Sequence, residues 1–180
     1  MGFRYEIRLA GAGGQGLILA GKILAEAAAI YDDKNATQSQ SYGPEARGGA
    51  SKSEVIISDD EIDYPKVTDV DLFLALTQES CDSYFQDLKS DGILLVDSTY
   101  VSRFPEGNFK VYKLPITQLA VENVGNRTVT NIVALGVVVA LSHVVSVSAA
   151  ESAILSRVPK GTEEMNKKAF SIGQEAAKNL

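Results

Sequence analysis

The strongest restriction on the fold lies near the start of the chain. Residues 4–10, RYEIRLA, alternate polar and apolar and run into GAGGQG, while residues 15–31, QGLILAGKILAEAAAIY, carry apolar side chains at helical spacing. A period that changes from 2 to 3.6 across a glycine cluster reads as strand, tight loop and helix. Alanine and leucine in the helical part favour that reading. A strand handed directly to a helix belongs to a layered α/β fold, because the helix must return over the sheet that the strand has entered.

The remaining segments fit that frame. Residues 35–41, NATQSQS, form a polar second strand and residues 52–58, KSEVIIS, a third. Residues 69–77, DVDLFLALT, and 92–98, GILLVDS, are continuous apolar runs of the kind buried on both sides, separated by a helix over 78–92 and followed by a strand at 109–115. After Pro115 the character is helical, with an apolar helix over 130–145, a helix that Ser148 and Glu151 would open at capping-box spacing, and a last one that Thr162 would cap. The expectation is an α/β three-layer sandwich with a mostly parallel sheet and a helical C-terminal third. The close spacing of the second and third strands allows an antiparallel member. The helix over 130–145 is apolar nearly all round, so it is central or at a subunit interface; in the second case Val137 and Val138 would drive self-association of the isolated chain.

With 180 residues, 45% of them hydrophobic, the chain has the core of one domain, expected to span residues 1–180. A net charge of −6 without blocks of like charge argues against a nucleic-acid surface. The charged start, MGFRYEIR, does not resemble a secretory leader, and the apolar run at 132–147 is interrupted by Gly136, Ser142, His143 and Ser146, so no membrane span and a cytoplasmic location are expected. Cys81 and His143 are the single residues of their kinds, which leaves out disulfides and the common zinc and haem sets. Cys81 reads as a half-buried packing residue, and His143 as a helix C-terminal cation or a packed imidazole.

Two glycine-bearing loops carry the functional signal. Gly11, Gly13 and Gly16, with Gly14 and Gln15 between them, have G-x-G-x-x-G spacing where backbone N–H groups and a helix N-terminus can hold an anion. A dinucleotide site also needs an acid at the end of the second strand, which reads Ser39, Gln40, Ser41, and no Lys-Ser or Lys-Thr follows Gly16 as a P-loop would require. The second loop, SYGPEARGG at 41–49, sets Tyr42, Glu45 and Arg47 between the turn at Gly43-Pro44 and the pair Gly48-Gly49. Arg47 could hold a carboxylate or phosphate bidentately, or pair with Glu45. If the second strand runs parallel to the first, both loops leave the sheet at one edge and share a crevice.

The segments RLAGAGGQGLILAGKILAEAA, TQSQSYGPEARGGASKSEVIIS, DLFLALTQES and GILLVDS together resemble the gamma subunits of 2-oxoacid:ferredoxin oxidoreductases, most closely those of the 2-oxoglutarate branch. The resemblance spans nearly the whole chain, and QSYGPEARGG is what separates it from the indolepyruvate-type relatives. It implies a subunit, inactive alone, of a complex that converts 2-oxoglutarate and CoA to succinyl-CoA with ferredoxin as electron acceptor. It implies as partners alpha and beta subunits and, in some complexes, delta. The pyruvate and branched-chain complexes offer the same role. Thiamine diphosphate and the iron–sulfur cluster are implied in other subunits, and CoA in the complex, with none of these cofactors resident in this chain. In agreement, residues 90–97, SDGILLVD, lack the first glycine of the usual thiamine motif, Asn123 is followed by Val124 rather than a second Asn, and one cysteine cannot ligate a cluster. The resemblance places the first loop at Gly11, Gly13, Gly14, Gln15 and Gly16 and the second at Tyr42, Gly43, Glu45, Arg47 and Gly48, touching ligand or neighbouring subunits. The alternative from the residues alone is a free-standing nucleotide-binding module built on residues 11–16.

Overall fold

The computed structural model describes residues 2–42 and 49–180. Six strands, β1 (Arg4–Ala12), β2 (Asn35–Tyr42), β3 (Ala50–Ser58), β4 (Val70–Ala75), β5 (Leu88–Asp97) and β6 (Lys110–Leu114), form one sheet in the order β2-β3-β1-β4-β5-β6. β1, β4, β5 and β6 are parallel, whereas β3 is antiparallel to both β1 and β2. The chain between β2 and β3 is too short for a crossover, so only an antiparallel pair can form there.

Helices α1 (Leu17–Glu26), α2 (Gln78–Tyr84), α3 (Ile116–Leu119), α4 (Thr130–Ser142), α5 (Val147–Arg157) and α6 (Glu163–Ala177) accompany the sheet, with wider turns, Ala27–Tyr31 and Ala120–Val124, extending α1 and α3 and a short turn, Arg127–Val129, leading into α4. On one face Ile7, Leu9, Val55, Ile57, Leu72 and Leu74 of the sheet pack against Ile23 and Leu24 of α1, Val133 and Val137 of α4, Ile154 of α5 and Phe170 of α6. On the other, Ala10, Phe73, Ala75, Leu94 and Val96 meet Cys81 of α2 and Val101. The three layers therefore differ in weight.

The apolar α4 is central. It lies among β4, α1, α3 and α6, and Val137 and Val138 are fully buried within this one chain, so the idea that they drive self-association is withdrawn. Its closest approach is to α6, where Gly136 and Gly173 face each other; a Cβ on Gly173 would overlap the Val133 carbonyl, and one on Gly136 the Phe170 carbonyl. Two hydrogens in place of side chains let the helix backbones touch.

Three local expectations need correction. The helix after β4 ends at Tyr84 rather than 92: the backbone turns at Asp87, φ 71°, and residues 88–92 belong to β5. Lys89 Nζ, 2.8 Å from Asp71 Oδ1, fastens that start, and the β4–β5 register shifts between Val70 and Leu72 to accommodate it. The cap of α5 is Ser146, not Ser148: its Oγ accepts from Ala149 N at 3.1 Å while Asp32 accepts from Ser146 N and Oγ at 2.6 and 2.8 Å. Thr162 does stand before α6, but its hydroxyl donates to Pro159 O at 2.6 Å instead of receiving a helix N–H.

The polar residues of β1 are the least expected feature. Arg8 and Glu6 are each only 3% exposed. Arg8 pairs with Glu54 at 2.8 Å and Asp87 at 3.2 Å and donates to the carbonyls of Tyr84 and Gln86. Glu6 receives Arg4 at 2.8 Å and the N–H groups of Thr68 and Asp69 at 3.0 and 2.7 Å. These charges close the side of the sheet that α2 alone is too short to cover, by holding down the connections on either side of β4.

Candidate functional site

β1 runs to Ala12, so Gly11 is still a strand residue, and the loop proper is Gly13 to Gly16 with Gly14 and Gly16 in the left-handed region at φ 86° and 76°. L side chains rarely adopt that region. Gln15 is not a free polar tip: its Oε1 accepts from Ala12 N at 2.7 Å and braces the loop from within. Gly16 is the N-cap of α1 and offers no side-chain acceptor, so the first-turn N–H groups of the helix keep their donor capacity.

The second loop leaves the same edge. Because β3 is antiparallel to both neighbours, β1 and β2 point the same way, as the shared crevice requires, although β3 lies between them. Gly13 N donates to Gly49 O at 3.2 Å, joining the end of the second loop to the first. Tyr42 closes β2, its backbone paired with Ser51. Gly43, Glu45, Arg47 and Gly48 lie outside the described residues. The antiparallel β3 takes the place beside β1 that a dinucleotide fold gives to its parallel second strand, leaving β4 as the parallel neighbour on the other side, so the free-standing module loses that part of its architecture as well as its acid.

The start of α4 supplies what the sequence reading missed. A short turn, Arg127–Val129, capped by Asn126 Oδ1 on Thr128 N at 2.9 Å, brings Arg127 beside the glycine loop. Its guanidinium lies 5.3 Å from the centre of the Tyr100 ring and donates to the Tyr100 hydroxyl. Gly14, Gln15, Arg127, Thr128 and Thr130 line a cavity of about 190 Å³, and a second of about 260 Å³ lies on the other side of Gly14 against Leu17, Ile18 and Ser51. Asn131 locks this corner, donating to Gly16 O at 3.0 Å; a Cβ on Gly16 would collide with its amide. The only signal for Arg127 in the sequence was the cap-forming Asn-Arg-Thr ahead of an apolar helix.

Backbone N–H groups and one guanidinium supply the donors of this wall, suited to an anionic group, while the Thr128 and Thr130 hydroxyls spend their protons on Asn126 Oδ1 and Arg127 O at 2.7 Å each. The largest described cavity, about 710 Å³, lies at the far end of α4 around Val139, His143 and Lys178. Its polar groups are spent on structure: Asp32 on Ser146, Lys34 on Val144 O at 3.0 Å and Gln174 on Gly136 O at 2.6 Å. His143 is exposed and ends α4 with φ 53°, so it is a helix-terminal residue rather than a packed imidazole. Cys81 is fully rather than half buried, and burial, with Asp82 beside it, pushes its thiol up to about 11, which keeps it from acting as a nucleophile. Among the described residues no group of three or more His, Cys, Asp or Glu could hold a metal ion, and a lone buried thiol does not fit a cluster.

This architecture, a mixed six-stranded α/β sheet with helices on both faces, is shared with an oxidoreductase gamma subunit of known structure. The chain belongs to the pyruvate ferredoxin/flavodoxin oxidoreductase family, whose model matches residues 6–176. It is 55% identical to the 2-oxoglutarate synthase subunit KorC of Methanocaldococcus jannaschii, over 98% of this chain and 96% of that one. It is 31% identical to the pyruvate synthase subunit PorC of Methanothermobacter marburgensis, over 97% of this chain and 98% of that one. The crystal structure of the keto/oxoacid ferredoxin oxidoreductase gamma subunit from Geobacter sulfurreducens superposes with a TM-score of 0.89 at 59% identity, covering 98% of this chain and 99% of that one.

Proposed function

We propose that this chain is the gamma subunit of a complex that oxidatively decarboxylates 2-oxoglutarate, passing electrons to ferredoxin and the succinyl group to CoA. The observation that carries the reading is the gap in identity between the 2-oxoglutarate synthase subunit and the pyruvate synthase subunit, each compared over nearly full length. In this reading alpha and beta subunits, with or without delta, supply thiamine diphosphate and the iron–sulfur cluster, and the assembly works in the cytoplasm. Residues 1–180 act as one gamma-type unit. The cofactors carry the decarboxylation and electron transfer; this chain binds, orients and encloses.

Its share is the edge formed by Gly11, Gly13, Gly14, Gln15 and Gly16, by Tyr42, Gly43, Glu45, Arg47 and Gly48, and by Arg127. Donors at Arg127 and in the first turn of α1 support a role in holding a carboxylate or phosphate. The test is the reconstituted complex assayed for CoA-dependent viologen reduction. Turnover should be far higher with 2-oxoglutarate than with pyruvate or a branched-chain 2-oxoacid, and the chain alone should be inactive; a preference for pyruvate would overturn the assignment. In that complex Arg127→Lys or Arg47→Lys should raise KM for CoA or 2-oxoglutarate roughly ten- to a hundredfold, since a charge-assisted hydrogen bond contributes about 1.5–3 kcal/mol. Unchanged KM for both ligands with intact assembly would remove that arginine from the site.

A further inference from the structure

We propose that the free edge of β2, with the groove beside it, accepts an extended segment of a partner subunit as a seventh strand. The proposal rests on the reading of this chain as part of a multi-subunit assembly, and two independent features of one surface point to it.

The first is the edge itself. β2, Asn-Ala-Thr-Gln-Ser-Gln-Ser-Tyr, is the outermost strand, contains no charged residue and no proline, and pairs with β3 over all eight residues without a register shift. Charge, proline, bulges and brevity are the devices by which exposed edges avoid pairing. The opposite edge uses several: β6 has five residues, carries Lys110 and Lys113, and runs into Pro115. β2 uses none, so its outward N–H and C=O groups form a straight template.

The second is the groove. Beside β2 a cavity of about 450 Å³ has an apolar floor of Ala25, Ala29 and Ala36 next to Ile30, with Gln38 of β2 and the charged Lys22, Glu26 and Arg157 completing its lining. Ile30 is 70% exposed, the most exposed large apolar side chain described. A strand added to β2 sends every second side chain to the groove side, where the alanine floor accepts apolar groups. Arg157 is neutralised by Glu26 at 3.3 Å, whereas Lys22 has no ion pair or hydrogen bond among the described residues. The fitting occupant alternates apolar residues and places an acidic one against Lys22. A second copy of this chain does not fit: whichever way its β2 turned, either Gln38 and Gln40 or Thr37 and Ser39 would lie over the alanine floor.

The test compares backbone amide exchange of residues 35–42 in the free chain and in the reconstituted complex. The expected result is exchange slowed about tenfold or more in the complex only, together with at least about tenfold weaker assembly for Ile30→Asp, weaker still when combined with Lys22→Glu. Both positions are exposed, and the free variants should melt as wild type does. Equal exchange in a complex that does assemble would overturn the strand inference alone. Protection of the free chain that rises with its concentration, with dimers in sedimentation, would overturn it in favour of a second copy. Failure of the wild-type chain to join any complex would overturn the proposed function, and this inference with it.

Discussion

On the helix-rich face of the sheet Ile7 and Leu9 of β1 meet Ile23, Val133 and Phe170, while on the opposite face Glu6 and Arg8, one step along the same strand, are buried as deeply among carboxylates, carbonyls and N–H groups. Apolar burial is non-directional, so that side needs only volume. Ionic burial works only when each charge keeps its partners, because a lone buried charge is far more costly than the pair is stabilising. One strand thus carries two kinds of adhesive, and they should fail in different ways.

The largest difference should come from Arg8→Met. It leaves the mostly buried Glu54 with Lys52 at 3.3 Å in place of the guanidinium and takes the Arg8 donor away from the Tyr84 and Gln86 carbonyls, at an expected cost of about 3–5 kcal/mol in urea unfolding. Adding Glu54→Leu should recover part of that loss, which no second truncation on the apolar face would do. A cost below about 1 kcal/mol, in the range of exposed pairs, would end the distinction between the faces.

Next comes Gly173→Ala on the apolar side. Helix propensity alone would make it stabilising by about 1 kcal/mol. Contact with the Val133 carbonyl should reverse the sign, giving a net loss of about 1–3 kcal/mol, additive with Arg8→Met because the sites share no partners. A rise in Tm would mean that α4 and α6 can part without penalty.

The smallest effect concerns Tyr5, packed at the border of the helix-rich cluster. Burial, with the Asp71 charge adding to it, pushes its phenol up to about 12 from the ordinary 10.0. The unfolded chain releases this proton near pH 10 and the folded chain near 12, so the phenol's contribution is complete below pH 10 and declines as pH rises through that interval. Tyr5→Phe should flatten the stability profile between those values and leave it unchanged at neutral pH.

What could be read from the sequence follows the same division. Strands β1 to β6, the glycine turn into α1 and the central α4 were legible because they rest on local periodicity and apolar burial. The burial of Glu6 and Arg8 was not legible, since alternation gives no hint that segments 46 to 79 residues further on would close over Arg8. Ser146 was overlooked as the cap of α5 for a similar reason: its partner Asp32 is 114 residues away. The end of α2 was set too late because Asp87 adopts a left-handed turn that its polar neighbourhood does not announce. At the candidate edge the glycine loop stood out by composition, whereas Arg127 is a lone arginine that becomes interesting only once α4 is docked.

The contact between Asn131 and Gly16, bridging 115 positions, also bears on the order of events during synthesis. A chain that has emerged only as far as β6 has its whole sheet in hand, yet the amide that fits against the tightest glycine of the first loop is still to come. Closing so long a span is entropically slow compared with forming hairpins and single helices. The glycine loop therefore acquires its final shape late, when the C-terminal helices dock, and a chain truncated before α4 would present an unfinished rim to its partners.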